Sequence, residues 1–301
     1  MSRYVVHKGV YCQVHEHGWR VKQWSNPKTG QAEHMAWKRL IYEPLGDWDD
    51  PDIIAKNIDQ SDTLLELERE AQRRARALAK SAARAKRTCR LKIKTAGMQS
   101  LLTCTYRENM QDFDRVRADF NAFLRKLRNI IPGFAAVYAF EKQDRGAWHV
   151  HAAIRELPRW LTFKEKFTGK PVTVRSWDYL RRLWHGVVGK DNGNVDIDGH
   201  RKTRHGLPAK HRPAASLAKL AGYVSKYLTK EYAEGLEGRN RWGSTQGIDV
   251  PAPVIFDMPE MPLVDLIGIA FEVPDGHRIV RHNIGQFGKF WVLYTESVNP
   301  S

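Results

Sequence analysis

Two histidines one residue apart, in His149-Val150-His151, lie a few positions after a carboxylate, Glu141. Imidazole and carboxylate together hold divalent cations. The residues from Ala135 to Glu141 are apolar and predict a strand. Lys142 to Gly146 has turn chemistry, and Ala147 to Arg155 predicts a second strand, making a β-hairpin. On a strand, residues i and i+2 share a face, so His149 and His151 point the same way and Val150 enters the opposite layer. With the turn centred near Arg145, Glu141 stands opposite His149, and opposed residues share a face. Two imidazoles and a carboxylate then form a ligand set for one divalent cation, with room for water or a phosphate oxygen. A polar strand face with incidental histidines has the same spelling. His15-Glu16-His17 repeats the spacing in a polar stretch before Gly18, with no companion motif.

The companion of the later pair is Ala221-Gly-Tyr223-Val-Ser-Lys226-Tyr227-Leu-Thr-Lys230-Glu231. Pro213 and the Ala/Leu-rich residues after it predict a helix. On that helix Tyr223, Lys226, Tyr227 and Lys230 are spaced by three and four, so they line one face. Two phenols and two ammonium groups make a poor core stripe. A phenol with a pKa of about 10 needs a cation close by to act as a nucleophile, and Lys226 and Lys230 each follow a tyrosine by three residues. The other reading is a solvated amphipathic helix whose tyrosine rings cap the core.

Together these motifs resemble the HUH endonuclease superfamily, and within it the rolling-circle replication initiators of single-stranded-DNA phages and related plasmids. A third family motif, an apolar strand ending in Thr-x-Thr-Tyr, is matched by Ser100-Leu-Leu-Thr-Cys-Thr-Tyr106. The likeness covers roughly residues 97 to 232, and the tyrosine run looks like the two-tyrosine class. It implies an α+β fold: a central antiparallel sheet with flanking helices, the metal site on its open face and the tyrosine helix laid across it. It implies Mg²⁺ or Mn²⁺ held by His149, His151 and Glu141. Tyr223 or Tyr227 would attack a phosphodiester of single-stranded DNA at a replication origin, steadied by Lys226 and Lys230. The products would be a 5′-phosphotyrosine and a free 3′-hydroxyl, with a host helicase and polymerase as partners. A transposase or plasmid-mobilising relaxase of the superfamily would share these residues. Relaxases often carry three histidines and an N-terminal nucleophile, the opposite order to this chain. A non-catalytic basic DNA-binding protein would need neither motif.

Composition fits a polyanionic partner. The 301 residues carry a formal charge of +15, which favours nucleic acid. No apolar run is long enough to span a bilayer and no lipidation signal is present. The first residues lack the apolar stretch of a secretory signal, so the expected compartment is the cytoplasm of a bacterial host, with no membrane partner. Three cysteines, Cys12, Cys89 and Cys104, without Cys-x-x-Cys spacing, support neither a disulfide scaffold nor a zinc finger.

The elements that must position the motifs follow in chain order. Residues 1–60 form an N-terminal appendage, with strands expected at Val10 to Val14 and Trp19 to Trp24 and a turn at Asn26 to Gly30. Residues 61–94 read as one long helix. From Arg73 to Lys94 it has ten basic residues and no acidic one, which favours a linker or arm that tracks phosphates through Arg73, Arg74, Arg84, Lys86, Arg87 and Arg90. Residues 95–234 are the expected catalytic domain: a strand to Tyr106, a helix from Asp112 to Ile130, the hairpin, a polar loop around Thr162 to Pro171, a helix from Ser176 to Val188 and a short strand from Asn194 to Asp198. That order predicts an antiparallel sheet with helices on one face. A basic loop from Gly199 to Arg212 offers Lys202 and Arg204 to DNA. Residues 235–301 are a C-terminal extension with a strand at Phe287 to Tyr294. No Gly-x-x-x-x-Gly-Lys-Ser/Thr occurs, so no helicase is fused.

Overall fold

The computed structural model describes residues 3–7, 10–44, 63–155, 157–165, 168–198, 216–230, 240–285 and 288–298. Strands β1 (Arg3–His7), β2 (Val10–Asn26) and β3 (Gln31–Pro44) precede the helix α1 (Thr63–Thr95). Then come β4 (Ser100–Tyr106), α2 (Phe113–Ile130), β5 (Ala136–Lys142), β6 (Trp148–Ile154), β7 (Trp160–Lys164) and β8 (Pro171–Arg175). After α3 (Ser176–Val188), β9 (Gly193–Asp198) and α4 (Leu217–Lys230), the chain ends with β10 (Trp242–Ser244), β11 (Val254–Met258), α5 (Leu263–Ala270), β12 (His277–Ile284) and β13 (Phe290–Ser297). The fold is α+β with antiparallel sheets. It divides into two units, residues 1–80 with 251–301, and residues 81–250.

The first unit joins both ends of the chain. Its sheet runs β1-β2-β3-β13-β12, with β11 added to β2. Trp19, Val21, Ala36, Trp291 and Leu293 pack with Leu266 of α5. The two strands expected between Val10 and Trp24 are one strand with a register shift between Glu16 and Trp19. Gly18 sits there at φ +71°, a conformation open to glycine at little cost.

The second unit is built on the sheet β10-β5-β6-β4-β9. The face holding Leu102, Cys104, Phe140, Val150, Ala152, Val195 and Ile197 packs on α2 and α3. Asp112 caps α2, accepting from the amides of Asp114 and Arg115 at 3.0 and 3.1 Å. That helix buries Phe113, Val116, Phe120, Phe123, Leu124 and Leu127, each contributing about 1.5–3 kcal/mol before conformational entropy is charged. Tyr106, the last residue of the Thr-x-Thr-Tyr strand, donates to Asp119 at 2.9 Å and lies edge-on to Trp184. Its role is structural, tying β4 to the helices above it.

The other face is where expectation and structure part. Val137, Ala139 and Ala153 pack against Leu220, Ala221, Val224, Tyr227 and Leu228 of α4 and against Cys89 and Ile93 near the end of α1. Helices therefore cover both faces. The small alanines of β5 and β6 let a helix lie close, and the apolar positions of α1 are masked in the sequence by the basic residues between them. The second unit accordingly begins at residue 81, inside the helix read as a linker, and extends to residue 250. Thr245 Oγ1 accepts from the Ala136 amide at 3.1 Å, and β10 pairs with β5. The polar loop expected around Thr162 to Pro171 belongs to a β7–β8 hairpin. Among the described residues no helix is long and apolar enough to cross a membrane.

Candidate catalytic site on the second sheet face

The hairpin register is the one expected: Glu141 pairs with His149, Ala139 with His151, and Thr103 of β4 with His151 on the other side. Trp148 fixes the start of β6. Its indole donates to the Gln111 carbonyl at 3.1 Å, and its ring packs 4.8 Å from that of Phe113. Val150 is fully buried in the opposite layer, so the histidines cannot rotate off their face without emptying the core.

His151 is buried, and both ring nitrogens are engaged. Nε2 lies 2.7 Å from Glu141 Oε2, and Nδ1 lies 3.2 Å from Thr103 Oγ1. The carboxylate thus reaches diagonally to His151 rather than to its register partner. His149 meets Gln143 instead, Nδ1 to Nε2 at 3.0 Å, and Gln143 Oε1 accepts from Arg145 Nε at 3.1 Å. The Nε2 atom of His149 is buried with no hydrogen-bond partner among the described residues. Burial, then the neighbouring His151 and Arg145, lower the His149 pKa to about 4 against the pull of Glu141. The ring is therefore neutral at neutral pH.

The helix α4 lies over this face. The Tyr227 ring stacks on His151 with centroids 4.6 Å apart and planes 9° from parallel. Tyr223 stands edge-on to both, 6.1 Å from His151 and 5.3 Å from Tyr227. Lys226 Nζ lies 4.4 Å from the Tyr223 ring centre and 4.8 Å from that of Tyr227, within cation–π range. Exposure separates the two phenols: Tyr223 is 39% exposed and Tyr227 only 5%. Burial, a hydrogen bond to Tyr223 and the negative Glu141 raise the Tyr227 pKa well above the usual phenol range. The stripe expected to be too polar for the core is thus split, since Tyr227 joins the core and Tyr223 faces water.

Lys230 is the last residue of α4, and its side chain lies outside the described residues, as do Lys202, Arg204 and Pro213. In α1, Arg73, Arg74 and Arg84 are exposed, whereas Lys86, Arg87 and Arg90 are half-buried. Arg74 also bonds to Glu70 at 2.6 Å on the same helix. Sequence reasoning did not find Thr103 or Gln143. Thr103 was nonetheless inside the Thr-x-Thr-Tyr strand, on the face of Leu101 and Thr105.

No group of three His, Cys, Asp or Glu side chains among the described residues is gathered in metal-holding geometry. His151 and Glu141 satisfy one another directly. The donor types still fit a divalent cation: a carboxylate and a neutral imidazole whose buried Nε2 has no partner among the described residues, held by the Gln143 contact that orients a ligating ring.

Comparison with known proteins adds one finding. Residues 99–232, somewhat under half of the chain, match a family model described as replication-associated protein ORF2. No curated protein and no solved structure gives a significant match. The matched span runs from β4 to the end of α4 and so contains Thr103, Glu141, Gln143, His149, His151, Tyr223 and Tyr227. On that similarity, the part of the chain that builds the site supports a replication initiator.

Proposed function

We propose that the protein is an HUH-type rolling-circle replication initiator of the two-tyrosine class, which nicks single-stranded DNA at an origin and later rejoins the strand. The observation that carries this reading is the packing of the Tyr223–Tyr227 pair of α4 on His151, in a sheet face that also holds His149 and Glu141. A core alone does not call for two phenols, two imidazoles and a carboxylate in contact.

His149, His151 and Glu141 would hold Mg²⁺ or Mn²⁺. Bound there, the cation would supply Lewis-acid polarisation of the scissile phosphate. The chain's own residues do the rest. Tyr223 presents the accessible hydroxyl, and its oxygen attacks phosphorus in line. A tyrosyl O–P bond forms, the P–O3′ bond breaks, and the released 3′-oxygen takes a proton and is left free to prime a polymerase. The Lys226 ammonium beside both rings favours phenolate over phenol. Tyr227, stacked beneath, keeps its proton until the regenerated origin arrives for the second transfer. Because the phosphodiester energy is stored in the phosphotyrosine link, rejoining needs no ATP. The basic face of α1 holds the DNA, with Lys202, Arg204 and Lys230 as further contacts, and a host helicase supplies the single strand.

The test is a denaturing gel of the protein with a labelled origin-containing single strand, with Mn²⁺ or with EDTA. A metal-dependent protein–DNA adduct that survives denaturant is the expected result. Binding without adduct or nick would leave a basic DNA-binding protein as the better account.

A further inference from the structure

The β7–β8 hairpin has two different faces. Inward, Leu161 is buried, and Phe163 and Val174 pack on the core that α2 and α3 cover; Phe163 meets Tyr179 at 5.0 Å. Outward, the register sets Trp160 opposite Arg175, Thr162 opposite Thr173 and Lys164 opposite Pro171. The two threonine hydroxyls bond at 2.9 Å, and the Arg175 guanidinium lies 5.5 Å from the Trp160 ring centre. Trp160 is 48% exposed, whereas Trp148 and Trp184 of the same unit are buried. A solvated ribbon needs no indole at that position, since threonine or lysine would hold the strand without an apolar ring in water.

Charge names the occupant. Residues 155–175 contain six basic side chains (Arg155, Arg159, Lys164, Lys166, Lys170 and Arg175) against two acidic ones, Glu156 and Glu165. A flat aromatic ring backed by a guanidinium, beside hydroxyls and an ammonium, suits a nucleobase on the ring and phosphates on the cations. A folded protein partner would call for a wider apolar patch than one indole.

We propose that the outward face of β7–β8 is a single-stranded-DNA stacking platform, with a base on Trp160 and the backbone held by Arg175 and Lys164. The proposal rests on single-stranded DNA being the substrate. The platform is separate from the tyrosine site. The hairpin leaves β6 after Ile154, at the opposite end of that strand from His149, about 17 Å along it at about 3.3 Å per residue. It therefore grips a flanking segment of the strand rather than the phosphate that is cut.

The experiment is fluorescence anisotropy with the full chain and a labelled oligothymidylate of about 30 nucleotides, long enough to cover several stacking sites. Trp160→Ala is expected to weaken binding roughly 5- to 100-fold, the loss of one stacked base, and Trp160→Phe is expected to restore most of it. The slope of log K against log salt should be unchanged in Trp160→Ala and shallower by about 0.7 in Arg175→Ala, which removes one phosphate contact. Unchanged affinity in Trp160→Ala, or equal losses in the Ala and Phe variants, would overturn the platform. Adduct formation by the wild-type chain is scored on the same oligonucleotide extended by the origin. Adduct with unchanged Trp160→Ala affinity rejects the platform alone. No adduct with weakened Trp160→Ala binding rejects nicking and keeps the platform.

Discussion

The chain contains the same spelling twice, and the two copies have different surroundings. His15-Glu16-His17 lies where β2 slips register against β3, next to Gly18 at positive φ. Its histidines are exposed, and His15 pairs at 3.0 Å with Glu43, itself 67% exposed. Glu16, between them, is half out in solvent and pairs with Lys289. His149-Val150-His151 lies in an unbroken strand at the middle of a five-stranded sheet, with its central valine fully buried. A carboxylate, a threonine and a stacked tyrosine enclose His151. Spacing puts two imidazoles on a face; only the packing on either side of the strand turns that face into a site.

The largest effect expected from this contrast is in the histidines themselves. His151→Ala should lower adduct formation by at least about 100-fold, because it removes both a ligand and the ring under Tyr227. The paired change His15→Ala with His17→Ala should leave adduct formation within about twofold, since exposed positions away from the site are energetically quiet. Equal losses in the two variants, read on the same gel, would erase the distinction.

The tyrosines come next. Tyr223→Phe should abolish the first nick, whereas Tyr227→Phe, which keeps the stacked ring, should still nick once and fail to rejoin. Quantifying nicked and rejoined strands separates the two. Loss of the first nick in Tyr227→Phe alone would give the leading role to the buried phenol. A smaller effect is expected at Gln143, whose amide orients His149. Gln143→Ala should weaken Mn²⁺ binding about 10-fold, measured by the decrease of free Mn²⁺ signal in electron paramagnetic resonance, while Glu43→Gln beside His15 should leave Mn²⁺ binding as it was.

The smallest effect is in pH. His149 has a folded pKa of about 4, below the unfolded value of about 6.5. Between those values the unfolded chain binds the extra proton, so stability falls as pH drops from about 6.5 towards 4 and is unaffected by this group above that window. In His149→Gln that part of the acid sensitivity should disappear from urea titrations at pH 5 against pH 7. An unchanged difference would place the proton elsewhere.

Much of the second unit was legible in the sequence because its signals are local. Asp112 as a cap, Pro132-Gly133 as a stop and the turn at Arg145 set α2 and the Glu141–His149 register. The Ser176 to Val188 helix was read to the residue. What was not legible depends on distant partners. β3 pairs with β13, more than 250 positions later, so two apparent appendages are one sheet, and no period in either segment carries that pairing. The β7–β8 hairpin alternates cleanly, yet its exposed lysines and threonines masked Leu161 and Phe163. The tyrosine stripe was visible, but which phenol faces water depends on His151 beneath it. Gln143 reads as an ordinary turn residue until the side chain it touches is known.

The most direct measurement is peptide mapping of the covalent adduct. The protein would be incubated with an origin-containing single strand and Mn²⁺, digested, and the nucleotide-bearing peptide sequenced by mass spectrometry. The account predicts a nucleotide on Tyr223 in the wild type and none in His151→Ala. A nucleotide on a residue outside α4, or an adduct that survives the loss of His151, would contradict it.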